Sequence, residues 1–257
     1  MGGHISRRRF LVQATLLGSA AAAGAGALLQ PGAALAAGGR ASGNRELTYS
    51  DDFQRPDGSV VGDGWEQLRG SWSLVSQTLE PTGSTDQMQI AQTAFELGRE
   101  FTVEGTVSLG APGALVYSGI AFNIRDLGDG TQNAYVLTLQ YGTPSTWGLF
   151  EITGSKQLIL PAFGQIELEA GTPYTLRATA RKYGWFDIEI LDGNQAMVSR
   201  SVQLEQFYQQ LAGGYFGLYS QVGNADGIVQ MHSISARSGS DPSDPPPPPA
   251  PAALVCT

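Results

Sequence analysis

Two stretches of the chain decide the fold: Tyr117-Ser-Gly-Ile-Ala-Phe-Asn-Ile-Arg125 and Ala134-Tyr-Val-Leu-Thr-Leu-Gln-Tyr141. In the first stretch apolar side chains occupy every second position, at Ile120, Phe122 and Ile124. A period of two is typical of a β-strand that is buried on one face. The Gly-Asp-Gly segment at 128–130 separates the two stretches and is typical of a turn. We therefore predict two consecutive strands, with Ile120, Phe122 and Ile124 in the core.

Similar runs recur throughout the region from Asn44 to Arg237, and none of them keeps a helical period. The predicted strands are Leu47–Phe53, Ser71–Leu79, Met88–Ala94, Phe101–Leu109, Tyr117–Arg125, Ala134–Tyr141, Trp147–Ile152, Lys156–Leu160, Tyr174–Arg181, Trp185–Leu191, Met197–Val202, Tyr215–Gln221 and Ile228–Ala236. So many strands predict an all-β domain, a two-sheet antiparallel β-sandwich of the jelly-roll type. Their number and uneven spacing disfavour the alternative, an eight-stranded closed barrel. Only Gln203–Leu211 is expected to form a short helix.

The composition excludes several functional classes. The chain has 257 residues, of which 42% are hydrophobic and 15% charged, and it contains 34 glycines. This is too little charge for a disordered chain, and the glycine content favours strands and turns. Two histidines and one cysteine exclude zinc sites built from several His or Cys ligands and redox centres with paired thiols.

The N-terminus has the features of an export signal. A basic segment, Ser6-Arg-Arg-Arg-Phe-Leu11, precedes an uncharged Ala/Gly/Leu stretch that ends in Ala34-Leu-Ala36. This resembles a bacterial twin-arginine (Tat) signal peptide, which implies export of the folded protein, with residues 1–36 as the signal and 37–43 as a flexible mature N-terminus. The alternative is an uncleaved membrane anchor, which the weakly apolar Ala/Gly content disfavours.

Removal of residues 1–36 makes the protein more acidic. The 15 basic residues become 12 against 23 acidic ones, so the net charge changes from −8 to about −11. Such a charge argues against nucleic acid and against anionic membrane surfaces as partners. We expect a secreted, extracellular protein that does not bind a membrane once the signal is cleaved.

The C-terminal segment 238–257 is rich in proline. Five consecutive prolines follow Asp244, a composition that favours a stiff polyproline II linker. The linker either leads to a further domain or ends as a short extension. Cys256 is the sole cysteine of the chain, so it cannot form an intrachain disulfide, and in a short extension it could crosslink two chains.

A family resemblance extends over the whole of the region 44–237. It is carried by Asp51-Asp-Phe-Gln-Arg-Pro-Asp-Gly58, Gly64-Trp65, Gly70-Ser-Trp-Ser-Leu74 and Gly214-Tyr-Phe-Gly-Leu218. These motifs resemble those of concanavalin A-like and laminin-G-like jelly rolls of bacterial secreted proteins. The resemblance implies a fold rather than an activity, because this superfamily includes lectins, glycan-binding modules, glycosidases, lyases and protein-interaction domains.

The alternation along the strands predicts a polar outer face that suits sugars. Indole rings stack on sugar rings, and planar donors and acceptors bond sugar hydroxyls. With Phe150 and Ile152 assigned to the core, the side chains expected to point outward and bind glycan are Asn123, Arg125, Gln140, Trp147, Glu151 and Trp185. The alternative is an ordinary solvated face, because sequence alone does not place these strands side by side.

Enzymatic alternatives rest on incomplete motifs. Trp185-Phe-Asp-Ile-Glu189 is similar to the Glu-x-Asp-x-Glu strand of family 16 glycoside hydrolases, but Trp185 stands where the nucleophilic Glu is required. Asp187 and Glu189 remain as catalytic candidates. The segment Tyr215–Gln221 resembles a strand of jelly-roll alginate lyases, with Tyr219 present and the lysine missing, and His232 lies outside that pattern. We therefore expect a binding module, with a glycoside hydrolase or polysaccharide lyase as the alternative and a protein-interaction domain as a second one.

A structural calcium ion is the one cofactor to consider; otherwise we expect none. Asp51 and Asp52 near the first strand and Asp226 before the last supply hard oxygen ligands, and first and last strands are commonly neighbours in jelly rolls. Their spacing is not that of an EF-hand and does not by itself specify a site. Turn and edge-capping roles are the other interpretation of these aspartates.

Overall fold

A computed structural model describes residues 46–58, 61–62, 64–82, 88–110, 116–126, 132–154, 156–204, 213–222 and 227–239, apart from the side chains of 156–161 and 183. The predicted export signal, the segment 37–43 predicted to be flexible, the proline-rich tail beyond Gly239 and Cys256 lie outside these residues. So do the predicted turn at 128–130 and most of the predicted helix, from 205 onward. Among the described residues no helix is long and apolar enough to cross a membrane.

The described residues form fifteen strands and one short 3₁₀ turn, Lys182–Gly184. The strands are β1 (Leu47–Asp51), β2 (Trp65–Arg69), β3 (Trp72–Val75), β4 (Thr78–Pro81), β5 (Met88–Glu96), β6 (Phe101–Gly110), β7 (Val116–Asp126), β8 (Gln132–Tyr141), β9 (Thr146–Gly154), β10 (Lys156–Gln165), β11 (Pro173–Arg181), β12 (Trp185–Asp192), β13 (Gln195–Gln203), β14 (Tyr215–Val222) and β15 (Ile228–Ser238).

The strands form two antiparallel sheets packed as a sandwich. The eight-stranded sheet has the order β13-β12-β11-β6-β15-β4-β3, and β1 also pairs with β15. The seven-stranded sheet has the order β10-β9-β8-β7-β14-β5-β2. The predicted β-sandwich is therefore confirmed, and the pairing of β1 with β15 confirms that the first and last strands are neighbours.

All thirteen predicted strands are present, with two differences. The predicted strand Ser71–Leu79 is a hairpin, β3 and β4, because Ser76 and Gln77 have positive φ angles of 49° and 65° and reverse the chain. β2 was not predicted, because its sequence Trp-Glu-Gln-Leu-Arg has no apolar alternation. The Asp192-Gly193 turn joins β12 to β13 as predicted, and Gly193 has a φ of 55°.

A layer of aromatic rings fills the space between the sheets. Phe101 and Phe186 belong to the eight-stranded sheet, and Phe122 and Tyr135 belong to the seven-stranded sheet. The ring centroids of Phe122 and Phe186 are 5.7 Å apart, and those of Phe101 and Phe122 are 5.8 Å apart. These rings are buried and join the two sheets across the core.

A β-bulge changes which face β7 presents to the core. Ile120 and Phe122 lie in the core between the sheets as predicted, but Ile124 does not. Asn123 has a φ of 51°, and the register between β7 and β8 shifts between Phe122 and Arg125. The extra residue turns Ile124 to the outer face of the seven-stranded sheet, so the prediction for Ile124 was wrong.

The outer face of the seven-stranded sheet carries a second apolar cluster, which we call the outer cluster. Its buried members are Ile90, Ala121, Ile124, Ala134, Val136, Ile152 and Tyr219. They alternate along the strands with residues of the main core: Val136, for example, lies between Tyr135 and Leu137. The seven-stranded sheet is thus apolar on both faces over part of its area, and where the two faces of a strand are about equally apolar, as in β9, hydrophobicity alone does not determine its facing.

Candidate glycan-binding faces

The candidate glycan-binding residues do not form one face. Gln140 lies on the outer face of the seven-stranded sheet, whereas Trp185 lies on the outer face of the eight-stranded sheet. Asn123 is fully buried at the β7 bulge, where its Nδ2 donates to the backbone oxygen of Gly213 at 3.0 Å. Arg125 follows the bulge and is paired with Asn133 in the register of β8. The predicted set is therefore divided between two sheets.

The predicted facing of β9 was wrong. Trp147 is buried in the main core together with Leu149, and Phe150 and Ile152 pack in the outer cluster. Glu151 thus lies on the same side of β9 as Trp147 and opposite Tyr135 of β8, where its charge adds to the effect of burial in raising the pKa of Tyr135. Because β9 is apolar at alternating positions on both faces, its sequence fits either facing.

Next to the outer cluster, the outer face of the seven-stranded sheet carries a polar and aromatic area that we call the outer band. It consists of two rows that run across the sheet, each with one residue from β14, β7, β8, β9 and β10 in turn. The first row is Gln221, Tyr117, Gln140, Thr146 and Gln165, and the second is Tyr219, Gly119, Thr138, Gly148 and Phe163. Five strands spaced by roughly 4.8 Å give each row a length of about 19 Å. This length accommodates several consecutive sugar rings.

The outer band combines exposed rings with ordered amides. Phe163 is 68% exposed. Tyr117 is partly exposed, and the residue two positions after it in β7 is Gly119 of the second row, which has no side chain. The Oγ1 of Thr146 donates to Oε1 of Gln140 at 2.7 Å, and the hydroxyl of Tyr219 donates to Oε1 of Gln221 at 3.1 Å. Both amide groups are therefore held with their oxygens engaged, which leaves their NH₂ groups as donors.

Tyr219 forms part of the floor of the outer band and is not poised to act as a general base. Its side chain is fully buried, and desolvation, with the nearby Tyr117 as the next cause, raises the pKa of its hydroxyl. A phenol with a raised pKa stays protonated at neutral pH and is a poor general base. Its role here is to fix Gln221.

The two catalytic candidates are engaged in ion pairs on the eight-stranded sheet. Arg177 joins Glu104 at 2.6 Å and Glu189 at 2.8 Å, and Arg181 joins Asp187 at 2.6 Å. The two glutamates raise the pKa of Arg177 through these hydrogen bonds. Both catalytic candidates are thus engaged by arginine side chains on the outer face of the eight-stranded sheet.

His232 lies beside a serine on the outer face of the eight-stranded sheet. Its Nε2 is 2.9 Å from Oγ of Ser108, which is almost completely buried. Burial lowers the pKa of His232. Neighbouring Gln230 bonds Glu80 at 3.0 Å rather than the imidazole, so no carboxylate among the described residues orients the histidine as a catalytic triad requires.

Asp51 is satisfied by protein donors and does not fit a calcium ion. Its carboxylate accepts two hydrogen bonds from Arg55, at 2.8 and 3.0 Å, one from the indole of Trp65 at 2.8 Å and one from the backbone of Phe53 at 2.9 Å. A cation would have to displace the guanidinium, which already neutralises the carboxylate. Asp52 is exposed and caps the backbone NH of Gln54 at 3.1 Å. Asp226 lies outside the described residues.

The two antiparallel sheets form a jelly-roll β-sandwich, the fold of lectins and carbohydrate-binding modules. Solved structures with this fold include the carbohydrate binding module CBM66 from Bacillus subtilis, with 16% identity and a TM-score of 0.52 over 68% of this chain and 96% of that one. Peanut lectin matches with 9% identity and a TM-score of 0.52, over 77% and 99% of the two chains.

A third match is part of a larger protein. A GH43 protein from Bacillus licheniformis shares 18% identity and a TM-score of 0.51 over 73% of this chain and only 38% of its own. No family model matches the sequence, and no curated protein matches it either. The similarity to solved structures thus extends to the fold, and any function has to be argued from the side chains.

Proposed function

We propose that the protein is an exported module that binds extracellular or cell-wall polysaccharide through the outer band, without catalysing a reaction. The observation that carries the proposal is the pairing of Phe163 and Tyr117 with ordered amides on one sheet face. Apolar ring faces of sugars pack on the aromatic side chains, and sugar hydroxyls accept hydrogen bonds from the NH₂ groups of Gln140 and Gln221.

Several further observations support this proposal. Two of the matching structures are those of a carbohydrate binding module and a lectin, both at low sequence identity. The net charge of about −11 for the chain after residue 36 disfavours anionic ligands and suits a neutral polysaccharide. The resemblance of the N-terminus to a twin-arginine signal supports a location outside the cytoplasm, where such polymers occur.

Retention on a panel of insoluble and soluble polysaccharides tests the proposal. We expect the full chain to be retarded in affinity gels that contain at least one neutral polysaccharide. Phe163→Ala and Tyr117→Ala should each weaken binding by about tenfold, which corresponds to about 1.4 kcal/mol. Leu47→Ala is the matched control, because Leu47 is an exposed apolar residue of β1 in the other sheet.

The same incubations separate the alternatives. Release of reducing ends or of unsaturated products would assign the protein to the hydrolases or lyases instead. Lack of retention on every polysaccharide would refute the proposal and favour a protein-interaction domain. Unchanged binding by both aromatic variants, with their folds verified by circular dichroism, would place any glycan site elsewhere on the molecule.

A further inference from the structure

Trp185 is exposed on the sheet that does not carry the outer band. The chain has four tryptophans; Trp72 and Trp147 are buried, Trp65 is partly buried, and Trp185 is 39% exposed. Phe186, the next residue, points into the core, so the indole of Trp185 projects from the outer face of the eight-stranded sheet. The indole therefore presents a large apolar surface to solvent.

Polar side chains of three adjacent strands surround this indole. In the register of the sheet, Trp185 of β12 lies between Arg181 of β11 and Gln203 of β13. Asp187 follows two residues later on the same face and is paired with Ser201 of β13. We call these five residues the Trp185 platform. It combines one apolar ring with a guanidinium, an amide, a carboxylate and a hydroxyl.

Hydrogen bonds hold the polar part of the platform in place. Arg181 Nη2 donates to Oδ1 of Asp187 at 2.6 Å, and Oγ of Ser201 donates to the same oxygen at 2.5 Å. The side chains of Arg181 and Asp187 are 52% and 36% exposed. From the part of the chain that the structure describes, Oδ2 of Asp187 receives no hydrogen bond. It remains an acceptor roughly 6 to 7 Å along the strand from the indole.

The charge of the platform specifies the class of ligand. The guanidinium of Arg181 and the carboxylate of Asp187 neutralise each other, so the platform attracts neither polyanions nor polycations strongly. A pyranose ring fits such a surface, because one of its faces is apolar and its hydroxyls both donate and accept hydrogen bonds.

We infer that the Trp185 platform is a second polysaccharide site, on the face of the sandwich opposite to the outer band. This inference rests on the proposed function. A sugar ring stacks on Trp185, one hydroxyl donates to Oδ2 of Asp187, and another accepts from the guanidinium of Arg181. Because the two sites face in opposite directions, one molecule engages two polysaccharide chains and crosslinks them.

Binding and crosslinking by the full chain test the inference, with a soluble polysaccharide that the affinity gels identify as a ligand. Isothermal titration counts the sites, and light scattering measures crosslinking. We expect Trp185→Ala to halve the number of sites and to abolish the rise in scattering. Trp185→Phe should preserve both, because it retains an aromatic ring. Ile228→Ala, at an exposed apolar residue of β15 in the same sheet, is the control and should match the wild type.

A variant of the other face distinguishes the two proposals. If Tyr117→Ala/Phe163→Ala loses all binding and Trp185→Ala loses none, the inference is wrong and the proposed function stands. If the double variant binds as the wild type does and Trp185→Ala does not bind, the outer band is not a site and the Trp185 platform is the sole one. If the wild type binds no polysaccharide, both proposals fail.

Acrylamide quenching gives a readout independent of affinity. Because Trp185 is the most exposed of the four tryptophans, bound polysaccharide should reduce the quenching of wild-type fluorescence. Quenching that is unchanged at saturating polysaccharide would contradict stacking on Trp185. A peptide or protein that protects Trp185 where no polysaccharide does would likewise overturn the inference in favour of a protein partner.

Discussion

The indole Nε1 of Trp65 donates a hydrogen bond of 2.8 Å to Oδ2 of Asp51, and this contact joins β2 of one sheet to the end of β1 in the other. The guanidinium of Arg55 donates hydrogen bonds to both carboxylate oxygens of Asp51 and to the backbone oxygen of Val61. The motif Asp-Asp-Phe-Gln-Arg at the start of the domain is therefore a structural clasp, in which one carboxylate organises the loop that follows β1.

Asp51→Asn should lower the free energy of unfolding by about 2 kcal/mol, because a partly buried guanidinium and an indole NH lose an ionised partner. Urea denaturation measures the change. Asp52→Asn is the matched control and should stay within about 0.5 kcal/mol of the wild type, because Asp52 is exposed and bonds only its own turn. Equal stability of the two variants would contradict a structural role for the clasp.

Chelation should leave thermal stability unchanged. The oxygens of Asp51 already accept four hydrogen bonds from Phe53, Arg55 and Trp65, and a calcium ion would compete with the guanidinium. Differential scanning fluorimetry in excess EDTA, followed by calcium addition, measures the melting temperature. A drop of several degrees that calcium restores would show that a metal site exists and involves other ligands, with Asp226 among the candidates.

Trp147→Ala should destabilise the protein by about 3–5 kcal/mol, because it empties a large volume in the core between the sheets. The ring also approaches Gly164, where an added Cβ would lie 3.0 Å from the indole nitrogen. Trp185→Ala, at the exposed tryptophan, should cost less than about 1 kcal/mol. Chemical denaturation of both variants compares the two sites; equal costs would refute the buried placement of Trp147.

Gly119→Ala should prevent stable folding, because the new methyl group would lie against the backbone oxygen of Leu137 on the neighbouring strand, inside van der Waals contact. Backbone atoms of a central strand pair cannot move aside without breaking the register. Expression as soluble protein and far-UV circular dichroism measure the outcome. Gly142→Ala is the control and should fold normally, since its Cβ would lie 3.6 Å from the nearest atom.

His232 should make the protein less stable as the pH falls. Burial lowers its pKa in the folded state, so the unfolded chain takes up a proton near pH 6.5 while the folded protein does not. The free energy of unfolding should therefore decrease as the pH is lowered from 7.5 to 5. His232→Gln should reduce this slope, measured by urea denaturation at each pH. A slope identical to that of the wild type would show that the histidine is not desolvated.

The strands themselves could be predicted because strand formation is encoded locally. Alternation in β8 places Tyr135, Leu137 and Leu139 in the core as predicted, and β12 does the same for Phe186 and Ile188. In both strands one face is clearly more apolar than the other, so the facing follows from the sequence. The outward direction of Gln140 and Trp185 was predicted correctly for this reason.

Trp147 and Asn123 show where that reasoning stops. β9 is apolar on both faces because the outer cluster gives its second face a hydrophobic environment, and only the packing decides that Trp147 points inward. The bulge at Asn123 is set by its positive φ and by the bond from its side chain to Gly213, 90 residues away. Neither feature is visible within a local window of sequence.

The sequence by itself determined the class of fold, the strand content and the acidic, cysteine-poor character of the chain, since these depend on composition and on a period of two. Only the tertiary structure decided which sheet each strand joins, and therefore that Gln140 and Trp185 lie on opposite faces. Sheet membership depends on pairings between distant segments, such as β6 with β15 and β7 with β14. It is these long-range pairings that assemble the outer band from Tyr117, Gln221 and Phe163, which are unremarkable in their local sequence.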